Sequence, residues 1–254
     1  MFFLKRISPF LIALVNVVVL EVLIKQPQLV WWLGFFLCFF NLLCLWLLIQ
    51  KSLGFKAGFP FLITYLLLSI GLLLSLLFIE LSFVKQAFIF LVALLFFLYQ
   101  ENLFRFLYLP EKYKAFSLEN LNNTVNILTF LFLTIANFAA ITYFDLKLGW
   151  ALLLAFLLVT ISLILFLRAV KIPIRGQGRY FGAVSLLLVE IFVLLVWLPF
   201  NFYLKALLFT TLYYLMSHIA KDVILGALNK KHMLWLLIVS LSIWLVLFVT
   251  ARWT

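Results

Sequence analysis

Charged side chains are scarce in this chain of 254 residues: only 11% are Asp, Glu, Lys or Arg, whereas 68% are hydrophobic. A water-soluble fold must cover its surface with polar groups, and this composition supplies too few of them. Cysteine is scarce as well, and two residues cannot build a disulfide scaffold. These shortages exclude soluble and disulfide-rich secreted proteins. They predict an integral membrane protein.

Long apolar runs are what the sequence has in abundance. A helix needs about 20 mostly apolar residues to cross a hydrocarbon layer roughly 30 Å thick. The runs are continuously apolar, whereas a membrane barrel strand would alternate apolar and polar residues, so they predict helices. The nine predicted spans are 7–24, 30–49, 60–79, 84–100, 125–144, 148–168, 180–198, 202–220 and 232–250. We therefore expect an all-α, polytopic transmembrane helix bundle of about nine spans that forms one integral membrane domain over residues 1–254.

Basic residues are distributed unevenly between alternate connections. With the N-terminus placed in the cytoplasm, 14 of the 19 Lys and Arg residues fall on the cytoplasmic side. Lys and Arg collect on that side of membrane proteins. The pattern predicts a cytoplasmic N-terminus, an external C-terminus and a multi-pass location in the cell membrane.

The net charge of +11 comes from cations that stand singly or in pairs at the ends of spans. We therefore expect no nucleic-acid partner. The expected partners are the lipid bilayer, anionic lipid headgroups on the cytoplasmic face and other membrane proteins. Candidate phosphate contacts are Lys171, Arg175 and Arg179, in the connection before the seventh span. An ordinary positively charged loop is the alternative interpretation.

Glu190 is the one acidic residue that the predicted spans place near the middle of the membrane. It lies ten residues beyond Tyr180, or about 15 Å along a helix. Lys205 follows the hairpin at Pro199 and has a similar predicted depth. We expect these two side chains to form an ion pair or a shared polar pocket, with Asn137 of the fifth span as a further candidate. A protonated, purely structural Glu190 is the alternative.

Metal and cofactor sites are not predicted. A zinc site needs three or four ligands, and the chain has two His and two Cys. Cys38 and Cys44 lie on one predicted span, where buried thiols are the usual state. His218 and Asp222 are four residues apart, which indicates one face of a helix end.

The hexapeptide Gln100-Glu101-Asn102-Leu103-Phe104-Arg105 resembles the Glu-Glu-x-x-x-Arg motif of CAAX-processing intramembrane proteases. That family activates water with a glutamate and downstream histidines. Here Gln100 stands at the first glutamate position, and the Phe-x-x-x-His element has its counterpart only in Tyr214 to His218. The Phe- and Leu-rich nine-span layout is loosely similar to multi-span membrane proteins of small-genome uncultivated bacteria, which implies a bacterial inner membrane but no activity.

Three functions stay open on the sequence. The first is a non-enzymatic bundle that acts through protein or lipid partners. The second is a small transporter or lipid flippase with Glu190 and Lys205 in its path. The third is an enzyme acting on lipid-linked substrates, with an inner-face site drawn from Glu101, Arg105, Arg168, Arg175 and Arg179.

Overall fold

The computed structural model describes residues 2–50, 54–114, 117–169, 177–226 and 230–250, and over these ranges the protein is all-α. The helices of the described residues are α1 (Phe2–Lys25), α2 (Val30–Ile49), α3 (Gly54–Phe78), α4 (Ser82–Tyr108), α5 (Ser117–Phe144), α6 (Leu148–Ala169), α7 (Gly178–Trp197), α8 (Phe202–Ile224) and α9 (Lys230–Thr250). Each helix overlaps one predicted span. The predicted all-α fold is confirmed.

Seven of the described helices, α1 to α7, are long and apolar enough to cross a membrane. Helix α8 carries Lys205, His218 and Lys221, which lower its hydropathy. Helix α9 contains a shorter apolar stretch, Met233–Val249. The helices thus have the character of a membrane protein, while the number of crossings and the orientation of the termini stay predictions.

The largest differences from the predicted bounds, eight residues each, are at two helix ends. Helix α4 continues to Tyr108 and stops there because Pro110 opens a 3₁₀ turn, Pro110–Lys112. Helix α5 begins at Ser117, eight residues before the predicted start, as one continuous helix. Its first two turns are rich in Asn and Glu, so a search for apolar runs passes over them.

The ends of α8 show how local chemistry sets helix bounds. Asn201 caps its start, because the side-chain oxygen accepts a hydrogen bond from the Leu204 amide at 2.8 Å. At the other end Gly226 adopts a φ of +63°, the left-handed conformation that glycine takes readily after a helix.

The chain divides into two compact units, residues 1–129 and 130–254. In the first unit α1 packs against α4, and α2 packs against α3. Helices α1 and α4 run antiparallel, since Arg6 contacts Glu101 and Phe10 contacts Phe97 one turn further along. The beginning of α1 and the end of α4 therefore lie together.

The second unit has an aromatic core. Phe138 stacks on Phe192 with ring centroids 4.5 Å apart, and Phe130 stacks on Tyr213 at 4.0 Å. Phe209 of α8 lies between the two stacks and contacts three of these rings. These close ring contacts tie α5, α7 and α8 together.

Candidate functional site

A buried amide pair joins α1 to α2 in the first unit. Asn16 Nδ2 donates to Asn41 Oδ1 at 2.9 Å, and Asn41 Nδ2 donates back to Asn16 Oδ1 at 3.3 Å. Asn41 also donates to the Ser69 hydroxyl of α3 at 3.1 Å. Both amides are fully buried. These bonds therefore join α1, α2 and α3.

A second set of buried polar contacts continues from α3 through α4 to α5. The Tyr65 hydroxyl lies 3.5 Å from Gln100 Oε1, and the Tyr65 ring packs against Tyr99. The Tyr99 hydroxyl donates to Asn122 Oδ1 at 3.0 Å. Together with the amide pair, this set connects α1 to α4 and the beginning of α5. Its chemistry is that of helix association, because most of these polar groups bond to one another.

The carboxylate of Glu101 lies between two guanidinium groups at the end of α4. Arg6 Nη1 donates to both of its oxygens, at 2.8 and 2.9 Å, and Arg105 Nε donates to Oε1 at 2.9 Å. The Glu101 side chain is only 8% exposed, whereas the Arg6 and Arg105 side chains are 45% and 48% exposed. We call these three residues the Arg6–Glu101–Arg105 cluster. Each residue has one formal charge, so the cluster carries a net charge of +1.

A second polar contact lies beside this cluster. Lys5 Nζ donates to the Tyr108 hydroxyl at 2.6 Å, and that hydroxyl donates to the Leu48 carbonyl oxygen at 2.7 Å. These bonds fasten the beginning of α1 to the ends of α4 and α2. They also bring a further positive charge to the same end of the unit.

Tyr113 fastens the connection after α4 to the first turn of α5. Its hydroxyl accepts from the Leu118 amide at 2.9 Å and donates to Glu119 at 3.1 Å. Burial raises the pKa of the Tyr113 phenol; the bond from the Leu118 amide lowers it and the neighbouring Glu119 carboxylate raises it, and the net pKa shift is upward. The phenol therefore stays protonated as a donor at neutral pH.

The predicted ion pair between Glu190 and Lys205 is absent from the structure. Lys205 Nζ instead donates to the Val196 carbonyl oxygen at 2.9 Å. Glu190 is exposed and has no hydrogen bond or ion pair within the described ranges. The reason is the direction of the side chain around the helix. Helix α7 buries Leu188 and Phe192, and Glu190 is two residues, or about 200° of rotation, from each, so it faces the opposite side.

Asn137 belongs to a different contact from either of these residues. It is buried, and its Nδ2 donates to the Ala151 carbonyl oxygen of α6 at 3.1 Å. It therefore joins α5 to α6. The three residues of the predicted intramembrane polar site each have separate surroundings.

The predicted lipid-phosphate contacts can be located only in part. Lys171 and Arg175 lie outside the described residues, and Arg179 is exposed in the first turn of α7. The exposed position of Arg179 leaves it accessible to a headgroup. Contact with lipid by these three residues stays a prediction.

His218 takes part in aromatic packing, with ring centroids 5.2 Å from Phe166 and 4.5 Å from Tyr214. Asp222, predicted to share a helix face with His218, has its Oδ1 atom 3.8 Å from Lys221 Nζ. In the part of the chain that the structure describes, no three His, Cys, Asp or Glu side chains are grouped so that they could hold a metal ion.

Comparisons with protein families, curated proteins and solved structures find nothing that matches this chain.

Proposed function

We propose that the protein is a non-enzymatic, multi-pass membrane protein that acts by assembling with another membrane-spanning helix along the exposed face of α7. The proposal includes the nine-span topology with a cytoplasmic N-terminus, which the distribution of Lys and Arg supports.

The observation that carries the proposal is the direction in which Glu190 faces. Its helix neighbours Leu186, Leu187 and Leu194 are 59%, 41% and 66% exposed, so the carboxyl group belongs to an otherwise apolar outer surface. An ionisable side chain at this depth costs at least about 2.5 to 3.5 kcal/mol when it meets lipid. Such residues pair with another polar group, and none of the described residues supplies one. A side chain from another helix would supply it.

A small residue beside Glu190 allows a second helix to come close. Gly182 is exposed, lies about two turns before Glu190 and about 80° from it around the helix, and a Cβ atom built on it would meet nothing within 4 Å. Small residues let two helix backbones approach each other in a membrane. This favours a partner helix that packs there and carries a donor such as Lys, Arg, Asn or Gln at the depth of Glu190.

The buried polar groups of the first unit support the non-enzymatic part of the proposal. The Glu101 carboxylate is bonded to two guanidinium groups, Asn16 is bonded to Asn41, and Tyr99 is bonded to Asn122. Side chains held in this way stabilise helix contacts rather than activate a substrate.

Photo-crosslinking in cells tests the proposal directly. A photoreactive amino acid at Leu194 of the full chain should give a crosslinked product, because this residue is next to Glu190 on the proposed interface. A photoreactive residue at Leu153, an exposed position of α6, is the matched control and should give no such product. Mass spectrometry of the product tells a second copy of this chain from a different membrane protein.

The dependence on Glu190 decides the outcome. Glu190→Leu should abolish the Leu194 product, and Glu190→Gln should keep most of it, because an amide can still form a hydrogen bond. Purified Glu190→Leu protein should unfold as the wild type does, since the carboxyl has no partner within the described chain. A product that persists in Glu190→Leu, or equal products from Leu194 and Leu153, would refute the proposal.

A further inference from the structure

We infer that the first unit carries a specific binding site for one anionic phospholipid, at the outer surface between α1 and α4. In this site the Arg6–Glu101–Arg105 cluster holds the phosphate, and an apolar groove that continues from the cluster holds an acyl chain. This inference is independent of the proposed partner interface on α7.

The groove lies between the outer faces of α1 and α4 and has a volume of about 560 Å³. Phe10, Leu14 and Val18 line one side, and Phe90, Leu94 and Phe97 line the other. All of its lining residues are apolar, and Leu14 and Phe90 are 65% and 70% exposed. The groove therefore opens to the surroundings of the protein and offers only apolar contacts to an occupant.

The groove and the cluster form one continuous stripe on the two helices. On α1, Arg6, Phe10 and Leu14 follow one another at intervals of four residues, which places them on one face. On α4, Phe97, Glu101 and Arg105 have the same spacing. The Phe10 and Phe97 rings meet at 5.0 Å, one turn from the contact between Arg6 and Glu101. A molecule lying in the groove thus reaches the guanidinium groups at its end.

The guanidinium groups have spare capacity for an anion. Each carries about five N–H donors, and the single Glu101 carboxylate accepts from one nitrogen of Arg6 and one of Arg105. Both side chains are about half exposed, so their other donors remain accessible. Because the cluster carries a net positive charge and Lys5 lies beside it, an anion is favoured over a neutral headgroup.

The combination of charge and groove identifies the occupant. A free phosphate ion would bind the guanidinium groups and leave the groove empty. A helix from another protein would fill the groove but need not carry a negative charge beside the guanidinium groups. An anionic phospholipid uses both. The end of the unit where α1 begins is also the end that the charge distribution predicts to be cytoplasmic, where anionic headgroups attract basic side chains.

Native mass spectrometry of the detergent-solubilised full chain can measure this binding. The probes are phosphatidylglycerol and phosphatidylcholine with identical acyl chains. We expect one phosphatidylglycerol to bind at least about five-fold more tightly than phosphatidylcholine, since one well-placed Arg contributes roughly that factor at an anionic surface. Glycerol phosphate, which has the charge without the chains, should not displace the lipid at equal concentration.

Variants separate the headgroup contact from the groove contact. Arg105→Gln should weaken phosphatidylglycerol binding about five-fold, while Glu101 keeps its bond to Arg6. Lys112→Gln is the matched control, because it removes one exposed positive charge beyond the same helix end and away from the groove. Ala13→Leu places a larger side chain in the groove and should weaken both lipids. The neutral combination Arg6→Gln, Glu101→Gln and Arg105→Gln removes the preference without leaving a buried unpaired charge.

Several outcomes would overturn the site. Equal affinity for the two lipids would refute the role of the cluster, and so would equal effects of Arg105→Gln and Lys112→Gln. Unchanged binding in Ala13→Leu, or displacement by glycerol phosphate, would refute the role of the groove. A dimer of the Glu190→Leu chain that forms without phosphatidylglycerol and is broken by Ala13→Leu would show that a second copy occupies this surface.

Discussion

The amide pair between α1 and α2 gives a quantitative test of how the first unit is held together. Asn41→Leu removes its two hydrogen bonds with Asn16 and the one that it donates to Ser69. Hydrogen bonds between membrane helices contribute about 0.6 kcal/mol each on average and up to about 1.7 kcal/mol. We expect Asn41→Leu to lower the free energy of unfolding by about 2 kcal/mol, because three such bonds are lost.

Asn16→Leu should cost about as much as Asn41→Leu, since it also removes three bonds, the third being the one to the Ile12 carbonyl oxygen at 2.9 Å. It should leave the contact between α2 and α3 intact, because Ser69 remains bonded to Asn41. The double variant Asn16→Leu, Asn41→Leu should lose less than the sum of the single variants, with a coupling energy of about 1 kcal/mol, because one shared contact is counted twice in that sum. Unfolding in a denaturing detergent, followed by circular dichroism, measures all three values. The labelling rate of Cys44 gives a local reading, because this buried thiol lies one turn from Asn41.

The control for these substitutions is Asn120→Leu, which changes an exposed asparagine near the beginning of α5. It should change the free energy of unfolding by no more than about 0.5 kcal/mol. If the effects of Asn16→Leu and Asn41→Leu simply add, the amide pair does not stabilise the contact between α1 and α2. An effect of Asn120→Leu as large as that of Asn41→Leu would also contradict the reasoning.

Two further predictions concern packing, and both are measured as free energies of unfolding. Phe192→Ala should cost about 3 kcal/mol or more because it leaves a cavity in the aromatic core. Leu194→Ala, on the exposed face of the same helix, should cost less than about 0.5 kcal/mol. Similar losses for both variants would rule out that core. Gly58→Ala would place a Cβ atom onto the Ile49 side chain and should destabilise the protein by about 1 to 3 kcal/mol. A Cβ atom at Gly149 meets nothing within 4 Å, so Gly149→Ala should leave the free energy of unfolding unchanged. If both variants are neutral, the space around Gly58 accommodates a methyl group and the reasoning is wrong.

The helices could be predicted from the sequence because hydropathy depends on short stretches of chain. Every predicted span overlaps one helix of the structure. The predicted apolar spans are shorter than the helices where a helix continues through polar residues, as at the end of α4 and the beginning of α5. There the helix is stabilised by tertiary contacts, such as the bond from Ser117 to Asn102 at 2.9 Å, which a search for apolar runs does not detect.

The candidate sites were harder to predict because the position of a residue along its helix does not give the side of the helix that its side chain faces. Counting residues gives the depth of Glu190 along α7, but not the side of the helix that packs. Once Leu188 and Phe192 are known to be buried, the outward direction of Glu190 follows from 100° per residue. The contact between Arg6 and Glu101 joins residues 95 positions apart, and only the antiparallel packing of α1 and α4 brings them together.

That separation also matters for the order in which the chain is made. Glu101 and Arg105 are made together and can pair as soon as their helix turn forms, because they are four residues apart. Arg6, made 95 residues earlier, has no carboxylate in this cluster until the end of α4 has been synthesised. The contact between α1 and α4 is therefore completed only when more than a third of the chain exists.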